Sequence, residues 1–216
     1  MPKQILIKLC GIKTKAVALA AAKMGADFIG IVFHPSSKRF VSPPQAKIIN
    51  AAAERGGAKG VGIFVDHSAS AILSMCKLTG IKIVQLHGVI AKQESYKLPQ
   101  NIKRIYVVNV DSSGMILDAC DRKNIECLDP KRDFLLFDGV EAGSGKSFNL
   151  NHFKCVHNFS FFLAGGLSVN NVARAIGMVR PNGVDVSSGI EKDFGKKDLK
   201  LIKQFIMKTK AGEKND

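Results

Sequence analysis

The sequence has no tryptophan and only two tyrosines in 216 residues. A base-stacking surface would have to rest on phenylalanine, and no RGG run, basic arm or aromatic-interleaved RNA-binding pattern occurs. Nucleic acid is therefore not the expected partner. The five cysteines, Cys10, Cys76, Cys120, Cys127 and Cys155, are odd in number and form no CxxC pair. Disulfide scaffolds and structural zinc sites are both poorly supported, and a reducing, cytoplasmic setting is expected. No apolar run approaches the roughly 18–20 residues that span a bilayer, so no membrane association is expected. Met1-Pro2-Lys3-Gln4 leads directly into a short apolar run that reaches Lys8, without the apolar h-region of a secretory signal. Acidic residues are scarce: 18 against 32 basic ones, a formal net charge of +14. The lysines are scattered along the chain, with a modest concentration from Lys192 to Lys210. Such a field favours solubility and steers anions, phosphorylated metabolites included.

Short apolar runs alternate with helix-like segments eight times. The strands are expected at Ile5–Leu9, Asp27–Phe33, Gly60–Val65, Lys82–Leu86, Arg104–Val108, Phe134–Phe137, Ser160–Leu163 and Gly183–Val186. The helices are expected at Lys15–Met24, Pro44–Arg55, Ser70–Leu78, Ala91–Lys97, Ser112–Asp121, Leu150–Val156, Val169–Met178 and Lys197–Lys208. The strands are nearly continuous in Val, Ile and Phe, which suits parallel strands buried on both faces. Ser168 stands where the N-cap of the Val169 helix would fall, and Pro43-Pro44 can open a helix in its first turn. Glycines 25, 57, 80 and 177 fall after helical patterns, where positive φ is often needed. Eight such units in one α/β chain predict a single (β/α)₈ barrel of eight parallel strands over 1–210, with a polar tail at 211–216. An open doubly wound sheet is the competing architecture. It would need GxGxxG after an early strand, whereas the first turn reads Cys10-Gly11-Ile12-Lys13.

In such a barrel the chemistry lies at the C-terminal strand ends. The polar residues there are Cys10, His34 to Arg39, Asp66, Gln85, His87, Asn109, Asp138, Gly165-Gly166, and Asp185 with Ser187-Ser188-Gly189. The seventh and eighth loops of this architecture often cradle phosphate with main-chain N–H groups, which points to Gly165, Gly166, Ser188 and Gly189. Cys10 is either a buried filler thiol or a nucleophile or base. Asp138 is either a turn carboxylate or a general acid that keeps its proton through burial. A Cys base and an Asp acid facing each other across the mouth suit proton transfer between neighbouring carbons. Arg39 is either a solvated charge or a clamp on a substrate carboxylate. His34 and His87 lack a carboxylate at ligand spacing, so no metal is expected. Gly143-Ser144-Gly145-Lys146-Ser147 ends like a P-loop, but the pattern needs glycine where Val140 stands. A mobile loop over the site is the better reading.

The set of segments resembles the phosphoribosylanthranilate isomerase family of tryptophan biosynthesis, from Lys8 to about Asp198. The carrying stretches are Lys8-Leu9-Cys10-Gly11-Ile12, the segment from Gly25 to Phe33, and Ser37-Lys38-Arg39-Phe40-Val41-Ser42-Pro43. Further on come Val61–Val65, Val84-Gln85-Leu86-His87-Gly88, Gly143–Phe148, Leu163-Ala164-Gly165-Gly166-Leu167, and Gly183 to Gly189. Their order and spacing make the set specific. The resemblance implies a cofactor-free Amadori rearrangement of a phosphorylated substrate in a monomer or homodimer. It further implies Asp138 as acid, Cys10 as base and Arg39 as holder of the anthranilate carboxylate. Gln85, His87 and Asp185 would contact the ligand, and the loops at Gly165-Gly166 and Ser187-Ser188-Gly189 would hold its phosphate. Two places depart from the family pattern: Val89-Ile90 replaces an acidic residue, and Asn149-Leu150 replaces Asp-Trp. A histidine-pathway type of sugar isomerase shares the phosphate loops but uses an Asp pair, whereas Cys10 ends the first strand here.

Overall fold

Strands apolar on both faces need a sheet covered on both sides, which a closed barrel ringed by helices provides. The computed structural model, which describes residues 4–111, 124–139 and 158–212, has one. Strands β1 (Leu6–Leu9), β2 (Phe28–Val32), β3 (Lys59–Phe64), β4 (Ile83–Leu86), β5 (Lys103–Val110), β6 (Phe134–Gly139), β7 (Phe161–Leu163) and β8 (Gly183–Val186) close into a barrel in chain order. Every pairing is parallel, and the seam is the β1–β8 ladder, where Lys8 stands opposite Asp185. The described helices of the outer ring are α1 (Lys15–Lys23), α2 (Pro43–Arg55), α3 (Ala69–Thr79), α4 (Val89–Gln93), α5 (Val172–Val179) and α6 (Leu199–Gly212). The expected helices Ser112–Asp121 and Leu150–Val156, and the Gly143–Ser147 loop, lie outside the described residues.

The period of two in the strands sorts the side chains into two cores. Ile7 and Leu9 join the large cluster under the helices. Leu6, on the alternate face, packs with Phe28, Ile83, Ile105, Leu136 and Phe162 inside the barrel. Phe162 meets Phe28 and Phe134 edge-on, with centroids 5.7 and 5.2 Å apart. A Cβ on Gly183 would stand 2.4 Å from the Phe162 ring, so the packing of this interior requires glycine there. Near the floor, Arg104 and Asp133 form a buried pair at 3.1 Å, and Asp133 also accepts from the Arg104 and Asp129 amides.

Local signals set the helix ends. Thr14 and Ser68 cap α1 and α3 through their hydroxyls, each 3.3 Å from a first-turn amide. Pro43 and Pro44 open α2. Gly25, Gly57 and Gly80 take the positive φ expected of them, but Gly177 does not: it lies within α5, and Arg180 carries the left-handed residue, φ +49°. Ser168 is not the cap of that helix. Asn171 accepts from Ser168 N at 2.7 Å and donates to Gly166 O at 2.8 Å, holding residues 168–171 in a turn. The helix therefore starts at Val172 rather than Val169.

The last helix begins at Leu199 and runs through Gly212, two residues past the expected barrel end, because Gly212 seats against Ala173 and Ile176. A two-stranded hairpin, β9 (Glu191–Asp193) with β10 (Lys196–Lys197), intervenes after β8 and was not expected from the sequence. No helix among the described residues is long and apolar enough to cross a membrane.

Candidate active site

The same alternation that fills the barrel floor delivers polar groups to its mouth. Leu6, Lys8 and Cys10 share one face of the first strand and its exit. Cys10, Arg39, Gln85, His87, Asp138, Gly165, Gly166, Asp185 and Ser188 all line one cavity of about 370 Å³ at the C-terminal strand ends. These are the residues given a catalytic, substrate or phosphate role in the sequence, with one exception. Gly189 does not line the cavity; it pairs with Ser168 in a lone bridge that ties the loops after β7 and β8 together. Asp66 and Asn109, also expected at strand ends, do not line the cavity either.

Cys10 is seated by Gly30 on the neighbouring strand. A Cβ there would lie 3.0 Å from the Cys10 sulfur and 2.9 Å from its Cα, so glycine leaves the thiol its place. Burial pushes the Cys10 thiol above its usual range, and the negative Asp185 adds to that. Lys8, Lys197 and Arg39 pull the other way, because each cation favours the thiolate. Asp138 is pushed up to about 7, first by burial and then by the charge of Asp185. Lys8 and the Gly139 amide limit that rise. Near neutral pH a large share of Asp138 thus retains a proton, which an ordinary aspartate would have lost.

Lys8 is fully buried, with Nζ 2.8 Å from Asp185 Oδ1. Burial alone would depress its pKa, but Asp185 and Cys10 raise it above the usual value, so the ammonium stays charged. The sequence reading gave Lys8 no role. The signal was available: a lysine on the inward face of a buried strand must have a partner.

His87 is lowered to about 4 by burial and by Lys92 and Lys8. A neutral imidazole can donate or accept one bond without adding charge. Gln85 Nε2 stands 3.5 Å from His87 Nδ1, while Gln85 Oε1 is buried without a partner. That oxygen is an acceptor available to a ligand hydroxyl or amine.

Two consecutive residues with positive φ, Gly165 at +86° and Gly166 at +63°, shape the loop after β7. Glycine at both positions leaves this stretch of backbone without side chains, so a ligand can approach its N–H groups closely. A Cβ on Gly165 would stand 2.8 Å from Gly139 N and 3.2 Å from Asp138 Oδ1, so the loop passes directly over the Asp138 carboxyl.

Arg39 does not present a free fork. Its Nε and Nη2 each lie 2.8 Å from an oxygen of Glu191. Glu191 is held near pKa 2, burial opposing but the Arg39 and Lys197 bonds prevailing. Lys197 Nζ lies 2.7 Å from Glu191 and 2.8 Å from Ser187 O. Neither Glu191 nor Lys197 was anticipated, since the pairing with Arg39 spans 152 positions. Among the described residues no group of three or more His, Cys, Asp or Glu could hold a metal ion.

Residues 7–208 match the family model of N-(5'-phosphoribosyl)anthranilate (PRA) isomerase. The N-(5'-phosphoribosyl)anthranilate isomerase of Chlamydia felis is 38% identical over 210 residues, covering 96% of this chain and 98% of that one. The crystal structure of phosphoribosyl anthranilate isomerase from Thermotoga maritima superposes with a TM-score of 0.78 at 34% identity, covering 96% of this chain and all of that one. A phosphoribosyl anthranilate isomerase structure in complex with reduced 1-(o-carboxyphenylamino)-1-deoxyribulose 5-phosphate gives a TM-score of 0.75 at 32% identity, covering 96% of this chain and 100% of that chain.

Proposed function

The chain belongs to the N-(5'-phosphoribosyl)anthranilate isomerase family, and we propose that Cys10 and Asp138 are the base and acid of its reaction. The reaction converts N-(5'-phosphoribosyl)anthranilate to 1-(2-carboxyphenylamino)-1-deoxyribulose 5-phosphate, a step of tryptophan biosynthesis.

Asp138 donates its proton to the furanose ring oxygen as the bond from that oxygen to C1′ breaks. The anilino nitrogen supplies the electron pair, and the resulting iminium makes the C2′ proton acidic. The Cys10 thiolate removes that proton, and the electrons of the C–H bond form the enolamine. Protonation of C1′ and loss of the C2′ hydroxyl proton then turn the enolamine into the ketone; the proton given by Asp138 and the proton taken by Cys10 cancel, so no atom is gained or lost. The opposed protonation states are the demanding feature. With the Cys10 pKa above its usual value, the thiolate is the minor form near neutrality. Each thiolate that forms is correspondingly basic, and it faces Lys8, Lys197 and Arg39.

The phosphate of the substrate is assigned to the Gly165-Gly166 turn and the Ser187-Ser188-Gly189 loop. Its ring carboxylate is assigned to Arg39, and its sugar hydroxyls to Gln85, His87 and Asp185. The observation that carries this reading is that a thiol and a carboxyl whose burial favours its proton line one cavity with a two-glycine turn at its rim. The test is turnover of freshly made phosphoribosylanthranilate, followed by its loss of fluorescence. Cys10→Ala and Asp138→Asn are each expected to lower kcat by about 10²–10⁴-fold with an unchanged circular dichroism spectrum. Full activity in either variant removes that residue from the mechanism.

A further inference from the structure

Arg39 reaches the cavity through a close cage. A Cβ on Gly11 would stand 2.5 Å from Arg39 Cδ, so the side chain lies directly on the backbone of the turn after β1. The ring of Phe194, at the tip of the β9–β10 hairpin, sits 4.9 Å from the guanidinium carbon. Glu191 takes Nε and Nη2, the side-on edge of the fork. That leaves both protons of Nη1 and one of Nη2, the end-on edge, which is itself a bidentate donor pair.

Arg39 lines the cavity and Glu191 does not. The carboxylate that holds the engaged edge thus stands outside the cavity lining, and the spare edge is the one left for a ligand. Charge permits a second carboxylate. Glu191 is shared between Arg39 and Lys197, so the three groups keep one net positive charge. Glu191 is also fixed by the Gly195 amide at 3.0 Å, and Lys197 ties the hairpin to the β8 loop through Ser187 O.

We propose that Glu191, braced by Lys197 and Gly195, is a positioning residue that locks Arg39 so that only its end-on edge reads the ring carboxylate of the substrate. The β9–β10 hairpin is then a specificity-determining element. This rests on the assignment of Arg39 to that carboxylate. Without Glu191 the guanidinium is free to turn about its terminal bonds, and the order needed to meet the carboxylate must be supplied at binding.

The test compares phosphoribosylanthranilate with phosphoribosylaniline, which lacks the ring carboxylate, by steady-state kinetics. Glu191→Gln is expected to raise KM for the anthranilate substrate about tenfold, with kcat changed less than about threefold. KM for the aniline analogue should stay put, so the preference between them falls by the same factor. Phe194→Ala, at a largely exposed tip, should move the preference in the same direction by a smaller factor and serves if Glu191→Gln fails to fold. Equal losses on both substrates, or an unchanged preference, overturn the positioning role. Arg39→Gln separates the two layers. Preference retained there overturns the assignment of Arg39 itself; preference lost there but kept in Glu191→Gln overturns only the role of Glu191.

Discussion

Lys8 Nζ stands 2.8 Å from Asp185 Oδ1 across the seam that closes the barrel, where the two residues are also partners in strand register. The pair sits beneath both proposed proton-transfer groups and acts on them in opposite senses. Lys8 favours the Cys10 thiolate, while Asp185 helps Asp138 keep its proton. One buried ion pair thus biases the base toward its charged form and the acid toward its neutral one.

Breaking that pair should be costly. Lys8→Met leaves Asp185 charged in a buried site without its cation, a loss of about 3–5 kcal/mol in unfolding free energy. Urea denaturation measures it. The double variant with Asp185→Leu should recover a large part of the loss, because no unpaired charge remains. A double variant no more stable than Lys8→Met would show that the pair is not the source of the cost.

The pH–rate profile should be a broad bell, with one limb near 7 and the other above the ordinary thiol range. The productive form needs Cys10 ionised and Asp138 protonated. Below about 7 the thiolate fraction grows with pH while Asp138 stays protonated, so the rate rises. Between the limbs the gain in thiolate offsets the loss of acid. Above the thiol pKa only the loss remains, and the rate falls. Lys8→Gln should shift both limbs to higher pH, since Lys8 lowers both groups. Ultraviolet absorbance of the thiolate, taken as the difference from Cys10→Ser, reports the thiol limb directly. A thiol titrating below its ordinary range would contradict the assignment.

Asp138→Asn should stabilise the protein in a pH-dependent way. The carboxyl has its pKa raised from 3.8 to about 7 on folding. A group that binds its proton more tightly when folded contributes most below its unfolded pKa and loses that contribution as pH rises through the folded one. Its burial is therefore tolerated at low pH and most unfavourable above about 7. The variant should gain about 2–4 kcal/mol near pH 8 and little near pH 4, read from urea midpoints at the two values. An equal gain at both would show that Asp138 does not titrate in this range.

Gly165→Ala should weaken phosphate recognition and disturb the acid together. Its φ of +86° is strained for alanine, and the new methyl would press on Gly139 N and Asp138 Oδ1. KM for phosphoribosylanthranilate and the inhibition constant of inorganic phosphate should both rise about tenfold or more. Unchanged phosphate inhibition would detach this turn from the phosphate.

The barrel was legible because its signals are local and repeated. Eight short Val, Ile and Phe runs with helical spacers specify parallel strands wherever they occur, and their boundaries fell within one or two residues for most strands. Cys10, Asp138 and the paired glycines were legible because they follow strands directly. The hairpin was not. Glu191, Lys192, Lys196 and Lys197 are charged, with no alternation to mark a strand; the contacts that hold the hairpin run to Arg39 and Ser187, far away in sequence. The start of α5 was misplaced because Asn171 competes for the cap through the backbone of Gly166 and Ser168, a bond no propensity announces.

Since the seam joins the first strand to the last, synthesis delivers the sulfur with Lys8 and Arg39 early, and Asp185 and Lys197 late. A nascent chain on the ribosome carries Cys10 long before Asp185, Ser187 and Lys197 exist to meet it. A chain cut short before the eighth strand therefore holds the thiol and Lys8 without the carboxylate that pairs with Lys8 across the seam.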